Sequence, residues 1–388
     1  MLKDLSLPAF AAGVLSAFVG FASTFAVIIR GLVAVGASPA QAASGLLALS
    51  VVMGLGAIWV SLRLRMPISI AWSTPGAALL ASTAVPAGGF SAAVGAFLVT
   101  AVLLILAGVW KPLGRWVEQI PSALANAMLA GVLLNLCLAP ARAVAQMPLA
   151  GLAIVGTWVV VARFRRVLAV PAAVVVTAGV IASTVTLPAG DGAALWPAPV
   201  LVWPSFDLSA LISIALPLFI VTMASQNIPG MAVLALNGYR PPAGRMFRAT
   251  GIMSLLAAPF GGHALNMAAI TAAICAGPDV HPDPAKRYWS ATIAGAGYIL
   301  FGLLASAATV FIGAAPPILI EAVAGLALPN APNSAINGAV HDPAEREPAI
   351  VAFMVAASGL SFLGIGSAFW GLIAGFALRT ISRAGQTR

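Results

Sequence analysis

Apolar runs long enough to cross a bilayer recur along this chain with little between them. That feature limits the fold more than any other. Only 7% of the 388 residues carry charge, while 61% are apolar. A soluble domain carries about 25% charged residues, so no water-soluble surface can be built here. The same count excludes disorder. A spanning helix needs about 20 apolar residues, so fourteen spans would take roughly 280 and leave only short loops.

The runs fall near 8–29, 40–61, 66–85, 90–110, 119–139, 143–162 and 167–187. A Pro-rich stretch from Leu187 to Asp207 follows. A second series falls near 208–236, 245–257, 259–276, 288–312, 316–328, 348–365 and 367–383. The first run shows no small-residue cleavage site and reads as a span, not a signal peptide. With the N-terminus cytoplasmic and sides alternating, 17 of the 19 Lys and Arg face the cytoplasm, and only Arg30 and Arg142 lie opposite. Cytoplasmic loops are the basic ones, and one span more or fewer would invert every later loop. The expectation is an all-α polytopic membrane protein, one transport domain over residues 1–388, with fourteen transmembrane segments and both termini cytoplasmic. Cys137 and Cys275 sit in apolar helical text without metal spacing and read as buried free thiols.

Seven segments on each side of the Pro-rich stretch make the second half inverted relative to the first. Weak internal likeness agrees: Gly36-Ala37-Ser38-Pro39 against Gly238-Tyr239-Arg240-Pro241, and Ala130-Gly131-Val132 against Ala324-Gly325-Leu326. Such 7+7 inverted repeats build many secondary transporters, and paired broken segments mark their binding site. Segments 3 and 10 form such a pair, each an extended stretch plus a half-helix. In the third, β-branched residues flank Pro67, Thr74 is the expected N-cap before Pro75, and a half-helix should run from about Pro75 to Val85. In the tenth, Pro259, Gly261 and Gly262 forbid early helix, and helical text runs from about His263 to Ala276. Two half-helix N-termini facing each other would hold an anion without a buried Lys or Arg.

Polar side chains inside the spans are few. Ser23 and Thr24 lie midway along the first span; Ser225, Gln226 and Asn227 lie at the matching place in the eighth. Amides are costly in lipid unless they face a cavity or bond another helix. His263 is the one histidine in a span and could carry a proton or donate a single orienting hydrogen bond. Glu321 is the one acid inside an apolar run, either a proton-entry group or an interfacial residue. Phe18, Phe21, Phe25, Trp72 and Phe260 lie near the crossing point, where an aromatic ligand could stack.

The text Ser225-Gln226-Asn227-Ile228-Pro229-Gly230-Met231, and the run from Pro259-Phe260-Gly261-Gly262-His263-Ala264-Leu265-Asn266 to Ile274, resemble the benzoate/proton symporter family of bacteria. Ala276-Gly277-Pro278-Asp279, Asp283-Pro284 and Lys286-Arg287-Tyr288 are similar to the same family, and the resemblance covers almost the whole chain. It implies the fold shared with nucleobase and sulfate transporters. A core subdomain (8–110 and 208–312) would move against a gate subdomain (119–187 and 316–383). It also implies a bacterial inner membrane, a small aromatic carboxylate and protons as partners, no cofactor, no metal and no nucleic acid. A homodimer is compatible with it. Nucleobase relatives place an acid in the eighth segment; here Gln226 and Asn227 stand there instead, which suits an anion.

The candidate substrate-binding residues are Phe21, Thr24, Trp72, Ser73, Thr74, Gln226, Asn227, Gly262, His263 and Asn266. The candidate proton-coupling residues are His263 and Glu321. The competing readings are a small-anion channel, a nucleobase or inorganic-anion carrier of the same fold, and a membrane enzyme. The last would need clustered acids with a metal, and the ten acids are scattered.

Overall fold

A computed structural model describes residues 5–22, 24–110, 121–165, 168–184, 196–268, 270–314, 316–326, 330–362 and 365–386. Ser23, Lys3, Lys111, Arg115, Arg166, Arg388 and the start of the Pro-rich stretch lie outside the described residues.

Helices dominate. In chain order they begin with α1 (Leu7–Ala22), α2 (Phe25–Ala34) and α3 (Pro39–Leu64). Strand β1 (Ile70–Trp72) leads into α4 (Thr74–Ala81), followed by α5 (Gly89–Val109), α6 (Ser122–Gln146), α7 (Pro148–Arg165) and α8 (Ala169–Thr184). The second half opens with the continuous helical stretch α9 (Leu208–Leu236) and α10 (Ala243–Ala257). Strand β2 (Leu265–Met267) precedes α11 (Ile270–Ala276), α12 (Tyr288–Gly302) and α13 (Ala305–Ala314). The chain closes with α14 (Pro317–Leu326), α15 (Asn330–Val340), α16 (Arg346–Ala357), the hairpin β3 (Ser361–Phe362) and β4 (Ile365–Gly366), and α17 (Ser367–Gln386).

Among the described residues six helical stretches are long and apolar enough to cross a membrane: Leu7–Ala34, α3, α5, α6, α7 and α9. The protein is a polytopic, mostly helical membrane protein. Local chemistry sets the element ends. Ser38 and Gln41 form a reciprocal capping box at the start of α3, with Pro39 at the first position. Two π-helical stretches interrupt α9, Leu211–Ala215 and Met223–Asn227. Each lies just ahead of a proline, Pro217 or Pro229, whose ring clashes with the carbonyl four residues back and whose nitrogen cannot donate. Widening the preceding turn relieves both conflicts, and such bulges gather at functional sites.

Four expectations from hydropathy need correction. The first span is two helices parted at Thr24, and it continues to Ala34. The run 288–312 breaks between α12 and α13 at Leu303 and Leu304. The helix α15 was missed, because its Asn- and Gly-containing text carries no apolar run. The run 348–365 holds only the twelve-residue α16 before the β3–β4 hairpin. Both cysteines are free, but only Cys275 is buried; Cys137 is half-buried.

One large buried cluster runs through both halves, from α1 to α6 and from α9 to α17, with β1 and β2 inside it. A separate small one, with Ala143, Ile154, Ala173 and Leu319, joins α6, α7, α8 and α14.

Candidate functional site

β1 and β2 pair antiparallel deep in the apolar core, with Ile70 opposite Met267, Ala71 opposite Asn266 and Trp72 opposite Leu265. The ladder is extended by Ser73 N–H donating to the Ala264 carbonyl (2.8 Å) and Ala268 N–H donating to the Ser69 carbonyl (3.0 Å). Backbone of this kind survives at membrane depth only when its polar groups are satisfied within the protein. Leu265 and Met267 turn their N–H groups away from β1, and side chains meet both. The Ser254 hydroxyl oxygen accepts from Leu265 N–H at 2.8 Å, and Asn227 Oδ1 accepts from Met267 N–H at 2.9 Å. Gly230, one helical turn beyond Asn227, permits the approach; a Cβ there would lie 2.8 Å from Met267 Cβ.

Each strand runs into a half-helix, so the antiparallel pairing sends α4 and α11 in opposite directions from the same short ladder. This bears out the paired extended stretches and half-helices of segments 3 and 10. Their bounds differ from expectation. Ser73, not Thr74, caps α4, its hydroxyl oxygen accepting from Gly76 N–H at 3.2 Å. α4 stops at Ala81, well short of Val85, and spans about 12 Å. His263 is not at a helix start. It lies in non-helical backbone before β2, and helix begins only at Ile270. Gly261, with φ +90°, turns the chain into that segment; in the sequence the glycines signal a helix break, while the length of strand pairing they permit depends on the partner strand.

Ser73 is the hub. Thr222 donates to its hydroxyl oxygen (3.0 Å). The His263 Nε2–H donates to its carbonyl (3.0 Å), while Nδ1 meets no partner among the described residues. With its amide turned to satisfy both ends, Asn266 accepts from Ser73 N–H (3.0 Å) and donates to the Met267 carbonyl (2.9 Å). Ser73, Thr222, His263 and Asn266 are wholly buried.

An aromatic wall stands beside this hub. The Trp72 indole N–H donates to Thr24 Oγ1 at 2.8 Å, and Thr24 in turn donates to the Gly20 carbonyl at 2.7 Å. Phe21 lies 5.6 Å from Trp72, 5.6 Å from Phe25 in a stacked pair, and 5.3 Å from Phe301, all by ring centroid. Tyr298 backs Trp72 at 6.4 Å. Thr24, Thr74 and Gln226 are half-buried. Neither Thr74 nor Gln226 has a side-chain hydrogen bond among the described residues, so their polar atoms remain available to a ligand.

The structure thus brings Phe21, Thr24 and Trp72 together, and separately Ser73, His263 and Asn266. Asn227 faces the strand, while Gln226, its neighbour in the π-bulge, is half-exposed. Gly262 sits in the closed interior against Ala257. Glu321 is elsewhere, paired with Arg30 across α14 and α2. Sequence reading missed Thr222, Ser254, Tyr298 and Phe301. A lone Thr, Ser or aromatic residue in apolar text carries no signal until its partner is known. No group of three or more metal-ligating side chains occurs among the described residues.

Helices halved at a strand pair, with a polar hub and an aromatic wall inside an apolar bundle, match the architecture of secondary membrane transporters. The transmembrane domain of the cyanobacterial bicarbonate transporter BicA has this fold: TM-score 0.62, 15% identity, covering 96% of this chain and 98% of that one. So does the murine anion transporter Slc26a9 in its inward-facing state: TM-score 0.63, 12% identity, covering 100% of this chain and 70% of that one.

Residues 3–381 match the BenE family, the benzoate membrane transport proteins, and the chain belongs to that family. It is 40% identical over 375 residues to the inner membrane protein YdcO of Escherichia coli, covering 96% of this chain and 95% of that protein. It is 31% identical over 376 residues to the benzoate membrane transport protein of Acinetobacter baylyi, covering 96% and 94%.

Proposed function

We propose that this transporter imports benzoate or a similar small aromatic carboxylate across the bacterial inner membrane together with a proton. Membership of the benzoate transport family over nearly the whole chain carries the reading. The aromatic wall supplies a stacking surface for a ring, and the free polar atoms of Thr74 and Gln226 suit a carboxylate near the start of α4. Phe21, Thr24 and Trp72 would hold the ring, and Ser73, Asn227, Gly262, His263 and Asn266 would keep the crossed strands in place beneath it.

The proposed frame is fourteen segments in a 7+7 inverted repeat with both termini cytoplasmic. The core (8–110 and 208–312) moves against the gate (119–187 and 316–383), in a chain that can form a homodimer.

Importing an anion against a negative interior costs about 2.3 kcal/mol per 100 mV, and one co-transported proton removes that cost. His263 and Glu321 are the proposed carriers. His263 offers a buried Nδ1 lone pair without a partner, next to the hub. Glu321 is held by Arg30. The experiment is uptake of labelled benzoate into proteoliposomes under an imposed pH gradient. Saturable uptake that rises with an acidic exterior is expected. Benzoate uptake indifferent to the gradient would remove the coupling, and bicarbonate or a nucleobase outcompeting benzoate would change the substrate. The His263→Gln variant should keep benzoate exchange and lose gradient-driven accumulation; full accumulation would take His263 out of the proton path.

A further inference from the structure

On the outer face of the α3–α10 pair lies a groove of about 660 Å³. The two helices are antiparallel: Gly45 abuts Gly261 just past the end of α10, and Gly56 abuts Met253 further back along it. The walls are apolar and open. Leu55 is 55% exposed, Trp59 60% and Leu256 58%. Gly56 lets Met253 close the floor, since a Cβ there would stand 2.4 Å from the Met253 sulfur. Arg63, Arg245 and Arg248 sit together at one end of the groove. None has an acidic partner among the described residues.

We infer that this groove binds an anionic phospholipid, with its phosphate at the three arginines and one acyl chain along Trp59, Leu55 and Leu256. Two features choose the occupant. From Val52 to Arg63 the groove runs about 16 Å along α3, close to the half-thickness of a hydrocarbon core about 30 Å deep. Its charged end is the end that the distribution of Lys and Arg assigns to the cytoplasm, where a headgroup of that leaflet sits. A second copy of this chain is a poorer match, because the chain has only ten acids to set against three arginines, and Asp207, Glu321 and Glu345 are already bonded. Each basic residue near an anionic surface adds about 1 kcal/mol. Three together give a preference for an anionic over a zwitterionic lipid on the order of a hundredfold at low salt.

The test is thermal unfolding and native mass spectrometry of the delipidated protein with phosphatidylglycerol or phosphatidylcholine of the same acyl chains. Phosphatidylglycerol should raise Tm and stay bound, and its advantage should shrink as salt screens the arginines. The Arg63→Gln, Arg245→Gln, Arg248→Gln triple variant should lose the preference, and the matching triple Lys variant should keep most of it. Equal protection by both lipids, a salt-independent preference, or an unchanged preference in the triple Gln variant would overturn the inference. So would stabilisation by inorganic phosphate alone, or a dimer in solution that dissociates in the triple Gln variant. The lipid comparison and its salt dependence need only the wild-type protein, so they decide the matter even if the triple variant does not fold.

Discussion

Asn227 Oδ1 accepts a hydrogen bond from the backbone N–H of Met267 at 2.9 Å, forty residues away in sequence. The bond ties the π-bulge of α9 to the edge of β2 that faces away from β1. The donor is fully buried and has no water to turn to. Replacing Asn227 by Ala should therefore cost about 1–3 kcal/mol, the penalty for an orphaned buried donor. A detergent-solubilised Asn227→Ala protein is expected to melt several degrees below the parent. An unchanged Tm would mean that β2 does not rely on this amide.

The bond from Trp72 to Thr24 holds the aromatic wall in register with the break between α1 and α2. Trp72→Phe and Thr24→Val each remove one partner of the bond; the second keeps the side-chain volume and the first keeps an aromatic ring of smaller size. Either change should weaken substrate binding by about 0.5–1.5 kcal/mol, read as a rise of several-fold in the KM for uptake. Because both remove the same interaction, the double variant should be little worse than either single one. Fully additive effects would refute a shared role.

Arg30 and Glu321 join α2 to α14, across the proposed boundary between core and gate. Their side chains are 40% and 24% exposed, so severing the pair should change stability by less than about 1 kcal/mol. Its effect belongs in the rate at which the two parts separate. Glu321→Gln is expected to alter the uptake rate at nearly constant Tm. Exchanging the charges, Arg30→Glu with Glu321→Arg, should bring the rate of benzoate exchange, which needs no proton carrier, back toward the parent value. A charge exchange that behaves like the single variants would remove the latch from the transport cycle.

Asp207 caps α9. Its carboxylate accepts from the Ser209 hydroxyl and from Ala210 N–H (3.0 Å). The Ser209 bond first, and then the Ala210 bond, hold its carboxyl below the usual range. A lowered pKa in the folded state means that the carboxylate form stabilises the fold. That contribution is complete above the ordinary carboxylate range and is lost as pH falls through the lowered value. Asp207→Ala should therefore melt below the parent at neutral pH, and the two curves should converge in acid. A gap that persists at the lowest pH would point to packing instead of charge.

Much of the architecture follows from composition and punctuation alone. So few charges exclude every soluble fold. Pro67 with Pro75, and Pro259 with Gly261 and Gly262, mark two apolar runs as something other than plain rods, because proline and glycine act through local backbone geometry. Polar residues in the eighth segment were conspicuous for a similar reason, since lipid makes an amide expensive wherever it sits.

The division of labour among those residues was decided by the tertiary structure. Asn227 and Gln226 are adjacent and chemically alike, yet one is locked onto β2 and the other is left half-exposed. Successive residues of a helix point about 100° apart, and only the packing of α9 against β2 decides which of the two meets the strand. His263 reads as a helix start until β1 lies beside it and draws its neighbours into a strand. Ser73 displaces Thr74 as the cap because Thr222 and the strand ladder already hold it in place. Glu321, lone in its apolar run, gains its meaning from Arg30 on another helix. Sequence fixes which groups are costly in a membrane, because that cost depends on the group and its solvent. Which partner satisfies each group depends on distances between segments tens to hundreds of residues apart, and those exist only once the chain has packed.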